Sequence, residues 1–119
     1  MMSMPQSTIR IEPGAVVRVE IRFAEGQGKK RRPVVVLSGD AYHVFRVDTV
    51  VLALTSQMDP THHGDCELLD YKGAGLPAPT KAKGTIATVT QASIDYQYGF
   101  LTAEDFERVK DSVREILNL

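Results

Sequence analysis

The sequence predicts a mainly β fold, several short strands bent into a small barrel or half-barrel and closed by one late helix. Three observations carry this expectation. Short apolar or alternating runs recur along the chain, each bounded by Gly, Pro, Asp or Ser. Only the C-terminus shows a 3.6-residue apolar period. No helical pattern separates the strand-like runs, which excludes an alternating βαβ arrangement.

Residues 1–12 read as a loose tail, and Pro13-Gly14 as the turn that launches the first strand, so that residues 13–119 form a single domain. Val16 to Phe23 alternates from Val17 onward, the period of a half-buried strand. Next comes Gly26-Gln27-Gly28, then four consecutive cations, Lys29, Lys30, Arg31 and Arg32, then Pro33 and the β-branched run from Val34. This unit reads as strand, mobile basic loop, buried strand. It presents Arg31 and Arg32 at the rigid edge of a sheet, a suitable place to bind phosphate.

Gly39 to His43 reads as a loop, and the nearly continuous apolar run Val47–Thr55 as a central third strand. Ser56–Gly64 is polar and carries Pro60, hence another loop, followed by a short strand at Cys66–Leu69. Gly73–Pro79, with its glycines and prolines, is irregular, and Thr80–Lys83 and Thr85–Val89 are two further short strands. Gly99 is placed to let the chain turn into the helix. Thr102 is a natural N-cap with Glu104 and Asp105 in the first turn, and Phe106, Val109, Val113, Ile116 and Leu117 share one face.

With 119 residues the chain holds one domain with a modest core, 43% hydrophobic and 24% charged. A net charge of −1 does not announce a nucleic-acid partner; what matters is the contrast between the cations of 29–32 and the acidic C-terminal third. One cysteine, Cys66, excludes an intrachain disulfide and fits a reducing compartment. There is no signal-peptide pattern and no apolar run near the roughly 18 residues of a membrane span, so the expected location is the cytoplasm. His62, His63 and Cys66 supply at most three metal ligands without a companion motif, so no metal is expected and the histidine pair reads as solvent-exposed, with a ligand-contacting loop histidine as the alternative. Tyr96 and Tyr98 read as strand or dimer-contact aromatics, with base stacking as the alternative.

Four segments, in order, carry a resemblance to a known family. They are Arg32-Pro33-Val34-Val35-Val36-Leu37-Ser38 after a Gly-rich loop, and Leu54-Thr55-Ser56 ending the third strand. Gly75-Leu76-Pro77-Ala78-Pro79-Thr80 follows, and then Gly99-Phe100-Leu101-Thr102 leading into the acidic-capped helix. From Pro13 to its end the chain resembles the MazF/PemK toxin endoribonucleases of type II toxin–antitoxin pairs.

The resemblance implies an SH3-like β-barrel working as a homodimer with a cognate antitoxin, cleaving single-stranded RNA without a cofactor. RNA brings its own nucleophile, the 2′-hydroxyl. The protein has only to accept that proton, stabilise the phosphorane and protonate the leaving oxygen. The family's catalytic pair maps to Arg32 and Thr55. Arg32 would clamp the phosphate and act electrostatically or as an acid, since a guanidinium is a poor base. Lys29, Lys30, Arg31, Gln27, Ser56, Thr80 and Lys83 are RNA-contact candidates, and Glu25 a candidate base. Read as residues alone, Arg32 and Lys83 are equally strand-edge cations in water, and Thr55 a β-former.

The chain departs from some relatives at Thr85, where they carry Asp, and at Gln27 and Lys30, where they carry Glu or His, which leaves the proton acceptor unassigned. Two rival readings follow: a gyrase-binding toxin of the CcdB type on the same fold, or a catalytically weakened RNA- or antitoxin-binding relative.

Overall fold

The computed structural model describes residues 9–22 and 29–119, with the side chains of Ile21, Arg22 and Lys29 excepted. Six strands form one antiparallel sheet: β1 (Ala15–Arg22), β2 (Lys29–Val36), β3 (Asp48–Thr55), β4 (Cys66–Glu67), β5 (Lys81–Thr90) and β6 (Tyr96–Phe100). A one-turn helix α1 (Asp40–His43) joins β2 to β3, and α2 (Ala103–Leu117) ends the chain. The spatial order is β4-β5-β3-β2-β1-β6. Register shifts between Val16 and Val17 and between Leu52 and Leu54, the latter opposite Gly84, bend the sheet into a half-barrel.

The two sheet edges meet through the turn between β4 and β5. A Cβ on Gly75, whose φ is +82, would lie 2.1 Å from the Tyr98 carbonyl oxygen of β6, and one on Gly99 would lie 2.8 Å from that of Ala74. Both positions therefore need glycine for backbone-to-backbone approach. Gly99 is accordingly a strand residue under a crossing turn and not the bend into the helix that the sequence suggested.

Alternation along the strands gives the sheet two apolar faces. Val16, Val35, Leu52, Leu54 and Ala82 pack with Leu76, Leu101 and Val109 of α2. Val17, Val19, Val34, Val36 and Val51 pack with Ile94 on the other face. Ile9 and Ile11 lie against this second cluster, and the Arg10 N–H donates to Gln97 Oε1 at 2.9 Å. The ordered domain thus reaches back at least to Ile9, several residues before the boundary read at Pro13.

The helix starts as its cap residue dictates: Thr102 Oγ1 accepts from the Asp105 N–H at 3.2 Å. Asp105 is fully buried, and its carboxylate accepts from the Leu69 and Asp70 N–H groups at 2.9 Å each, tying α2 to the chain after β4. Of the face read for α2, Leu117 is half exposed; Phe106, Val109 and Val113 make the contact with the core.

Three other expectations change. The cations of 29–32 lie on β2, paired with β1 from Arg22 to Val19, and are not in a loop. Residues 40–43 are helical. The two short strands after Pro79 are one ten-residue strand, β5. No helix among the described residues is long and apolar enough to cross a membrane.

Candidate active site

The site is set by strand register. Residues 34–36 of β2 pair with 51–53 of β3, ending with Val34 opposite Ala53. Pairing stops next to Pro33, which has no N–H to donate. Two residues further along the same register, Arg32 falls opposite Thr55 on one face of the sheet. Thr55 in turn pairs with Lys81 of β5. Arg32, Thr55 and Lys81 therefore form a row across three strands where the central ladder ends.

A cleft of about 170 Å³ lies over the first part of this row, lined by Arg32, Thr55, Ser56 and Thr80 with Leu76 and Tyr98 among its apolar walls. Thr55 Oγ1 accepts from the Gln57 N–H at 3.1 Å, which leaves the hydroxyl proton to donate outward. Thr80 is almost wholly buried and donates its hydroxyl to the Ala78 carbonyl at 2.8 Å, so it shapes the wall and does not offer that proton to a ligand.

A second cleft of the same size opens on the other side of Thr55, lined by Gln57, Asp59, His62, Asp65, Lys81 and Lys83. At its base Lys81, 5% exposed, spends its ammonium on Asp65 Oδ2 at 2.7 Å and on the Met58 and Pro60 carbonyls at 3.0 and 2.8 Å. Burial alone would push the Asp65 carboxyl up. The His62 N–H and the Lys81 ammonium outweigh it and hold the carboxyl below its ordinary value. The β3–β4 loop is thereby fixed to β5 beside Thr55.

The structure thus brings Arg32, Thr55, Ser56 and Thr80 into one cleft and Lys83 into its neighbour. Lys30 and Arg31 are exposed on β2. Arg31 forms an ion pair with Asp95, whose other oxygen takes Arg18 Nε at 3.1 Å. Lys29 is placed by its backbone alone, and Gln27 and Glu25 lie outside the described residues. Tyr98 joins the cleft wall, while Tyr96 meets Tyr98 edge-to-face at 5.0 Å and lies under the Arg18 guanidinium at 5.1 Å.

The His62–His63–Cys66 grouping is not assembled. Cys66 is buried in the core, His63 Nε2 is 3.4 Å from Glu115, and His62 lines the second cleft. Among the described residues no three His, Cys, Asp or Glu side chains converge as metal ligands. Sequence reasoning missed Lys81 and Asp65. The only available signal was a lysine inside the threonine-rich stretch Thr80–Thr85, which looks like any outward strand lysine.

No curated protein matches the chain in sequence. Solved structures share its fold. An endoribonuclease in complex with its cognate antitoxin, from a mycobacterial species, superposes with a TM-score of 0.72 at 18% identity over 91% of this chain and 95% of that one. The Mycobacterium tuberculosis toxin MazF-mt6 gives 0.72 at 15% identity over 88% and 97%. MazF from Deinococcus radiodurans gives 0.73 at 18% identity over 91% and 96%. At these identities the likeness establishes the half-barrel with its C-terminal helix. The family itself is shown by sequence: residues 12–117 match the model of the PemK-like, MazF-like toxins of type II toxin–antitoxin systems, and the chain belongs to that family.

Proposed function

We propose that the protein is a cytoplasmic, metal-independent endoribonuclease toxin that cleaves single-stranded RNA at short sequence motifs, leaving a 2′,3′-cyclic phosphate and a 5′-hydroxyl. The observation that carries this reading is the juxtaposition of Arg32 and Thr55 in an open cleft, with the Thr55 proton left free to donate by the Gln57 N–H. A guanidinium fork and a hydroxyl on one face can grip two oxygens of one phosphate, and both gain strength as charge develops on the phosphorane. Lys30, Lys83 and Ser56, all exposed around the clefts or on the adjoining strand, would hold the flanking backbone. Incubating purified protein with a long single-stranded RNA in EDTA tests the reading. Discrete fragments with cyclic phosphate ends support it, and intact RNA overturns it.

Its partners are RNA, a cognate antitoxin and a second copy of itself. Val44, Phe45 and Val47 are 67%, 95% and 78% exposed, side by side on the α1–β3 connection. The Gln91 side-chain amide holds that connection through the Arg46 and Asp48 carbonyls at 3.0 Å each, and Ser38, His43 and Thr49 hydrogen-bond mutually beneath it. Firmly held apolar surface of this kind suits a permanent partner. No residue of β3 itself is exposed, so the open apolar surface lies on the connection that leads into it. Sedimentation at tens of micromolar protein is expected to give a dimer mass, and Phe45→Glu to shift it toward monomer with an unchanged circular dichroism spectrum. A monomeric wild type would rule out the dimer.

A further inference from the structure

We propose that His62 is the proton acceptor of the reaction, the group that takes the 2′-hydroxyl proton as that oxygen attacks phosphorus. This assignment rests on the endoribonuclease reading. Neither group facing the phosphate can serve, because a guanidinium keeps its proton at any working pH and a threonine hydroxyl is already protonated. Among the described residues, which do not include Glu25, the titratable side chains of the two clefts beside Thr55 differ in what they can offer. Asp65 and Lys81 are locked together at 2.7 Å. Lys83 and Tyr98 bring an amine and a phenol, side chains whose common role in catalysis is to donate a proton or hold an anion. Asp59 offers a carboxylate, a weak base there. An imidazole is the side chain that is both unprotonated and appreciably basic near pH 7, and His62 supplies it.

Position favours the same residue. The His62 N–H donates to Asp65 Oδ2 at 2.9 Å, the oxygen that also takes Lys81 Nζ. With Lys81 holding the Met58 and Pro60 carbonyls, the loop is pinned on both sides of His62 to the strand position that pairs with Thr55. The backbone is fixed while the imidazole makes no hydrogen bond among the described residues. Its neighbour His63 is instead 3.4 Å from Glu115. A held backbone, and a ring with no hydrogen bond among the described residues that lines the same cleft as Thr55 and lies within electrostatic reach of Asp65, is an arrangement that suits a base.

The step balances without a cofactor. The 2′-oxygen gives its proton to neutral imidazole and forms the bond to phosphorus; the bond from phosphorus to the 5′-oxygen breaks while the Arg32 guanidinium stabilises the charge on the phosphoryl oxygens, and the 5′-oxygen takes a proton from solvent. The imidazolium then releases its proton to solvent. One phosphodiester becomes a cyclic phosphate and a 5′-hydroxyl, and no water is consumed.

The test is single-turnover cleavage of a long single-stranded RNA in EDTA, from about pH 5 to 8, for wild type, His62→Ala and Asp59→Asn, beside equilibrium RNA binding. His62 is exposed, so its variant should keep the fold. His62→Ala is expected to lose roughly 10²–10⁴ in rate, to lose the acid limb of the pH profile, to bind RNA as before and to recover activity with added imidazole. Asp59→Asn should keep that limb. A His62→Ala profile that retains the acid limb, or binding that falls by the same factor as the rate, overturns the assignment. An inert wild type is a different result: it removes the endoribonuclease reading and the role of His62 with it.

Discussion

Arg32→Ala is expected to slow single-turnover RNA cleavage by roughly 10²–10³, the scale of removing one preorganised donor to a developing charge, while RNA binding weakens far less. The asymmetry follows from where the residue sits. Arg32 lines the cleft with Thr55, whereas Lys30 on the same strand and Lys83 on β5 stand exposed and remain to hold the backbone. Arg32→Lys keeps the charge but loses the planar fork, so it should recover only part of the rate. Thr55→Val keeps the shape and removes the proton, and should cost less than the arginine change while acting on the same step. Cleavage measured beside equilibrium binding decides the matter. A common factor of loss in both would make Arg32 an RNA contact and nothing more.

Much of this fold was legible because local chemistry and tertiary environment agree. From Val17 onward β1 alternates because Val17 and Val19 enter the second apolar cluster while Arg18 is only half-buried and Glu20 is exposed. Thr102 caps α2 because its hydroxyl reaches the Asp105 N–H. Arg32 and Thr55 were readable through the family's segment pattern, and strand register explains why they belong together. What escaped depends on distant partners. The cations of 29–32 resemble a solvated loop, yet Glu20 pairs with Arg31 and Val19 with Arg32 across the β1–β2 ladder. Arg31 looked like a phosphate contact, but its carboxylate partner, Asp95, arrives from far along the sequence. Gly99 carries no local sign that the Ala74 carbonyl crosses it. Lys81 was the largest omission. Its neighbours suggest an outward strand lysine, and only the loop ending at Asp65 reveals why it faces inward.

Lys81→Met should accordingly be the most destabilising single change near the site, costing about 3–5 kcal/mol, the range for stripping one partner from a buried ion pair. The Lys81 and Asp65 side chains are each 6% exposed, so the remaining carboxylate would be left without its counter-charge and away from water. The Met58 and Pro60 carbonyls would lose their donor at the same time. Against a total stability of about 5–15 kcal/mol for a domain of this kind, the loss would show plainly in urea unfolding. Removing both charges, as Lys81→Met with Asp65→Leu, should cost less than the sum of the single changes, because no buried charge is then orphaned. The pair also sets an acid limit. Asp65 is held below its ordinary value of 3.8 by the His62 N–H and Lys81 against the opposing effect of burial. Its contribution is therefore complete above the unfolded value and lost as pH falls through the lower folded one. Wild-type stability should drop more steeply below pH 3.8 than that of Asp65→Asn, and equal slopes would show that the pair does not govern acid unfolding. If Lys81→Met also slows cleavage while the protein remains folded, the loss should follow the loop that carries His62, because Lys81 fixes that loop beside Thr55 and its own ammonium is already spent on three acceptors.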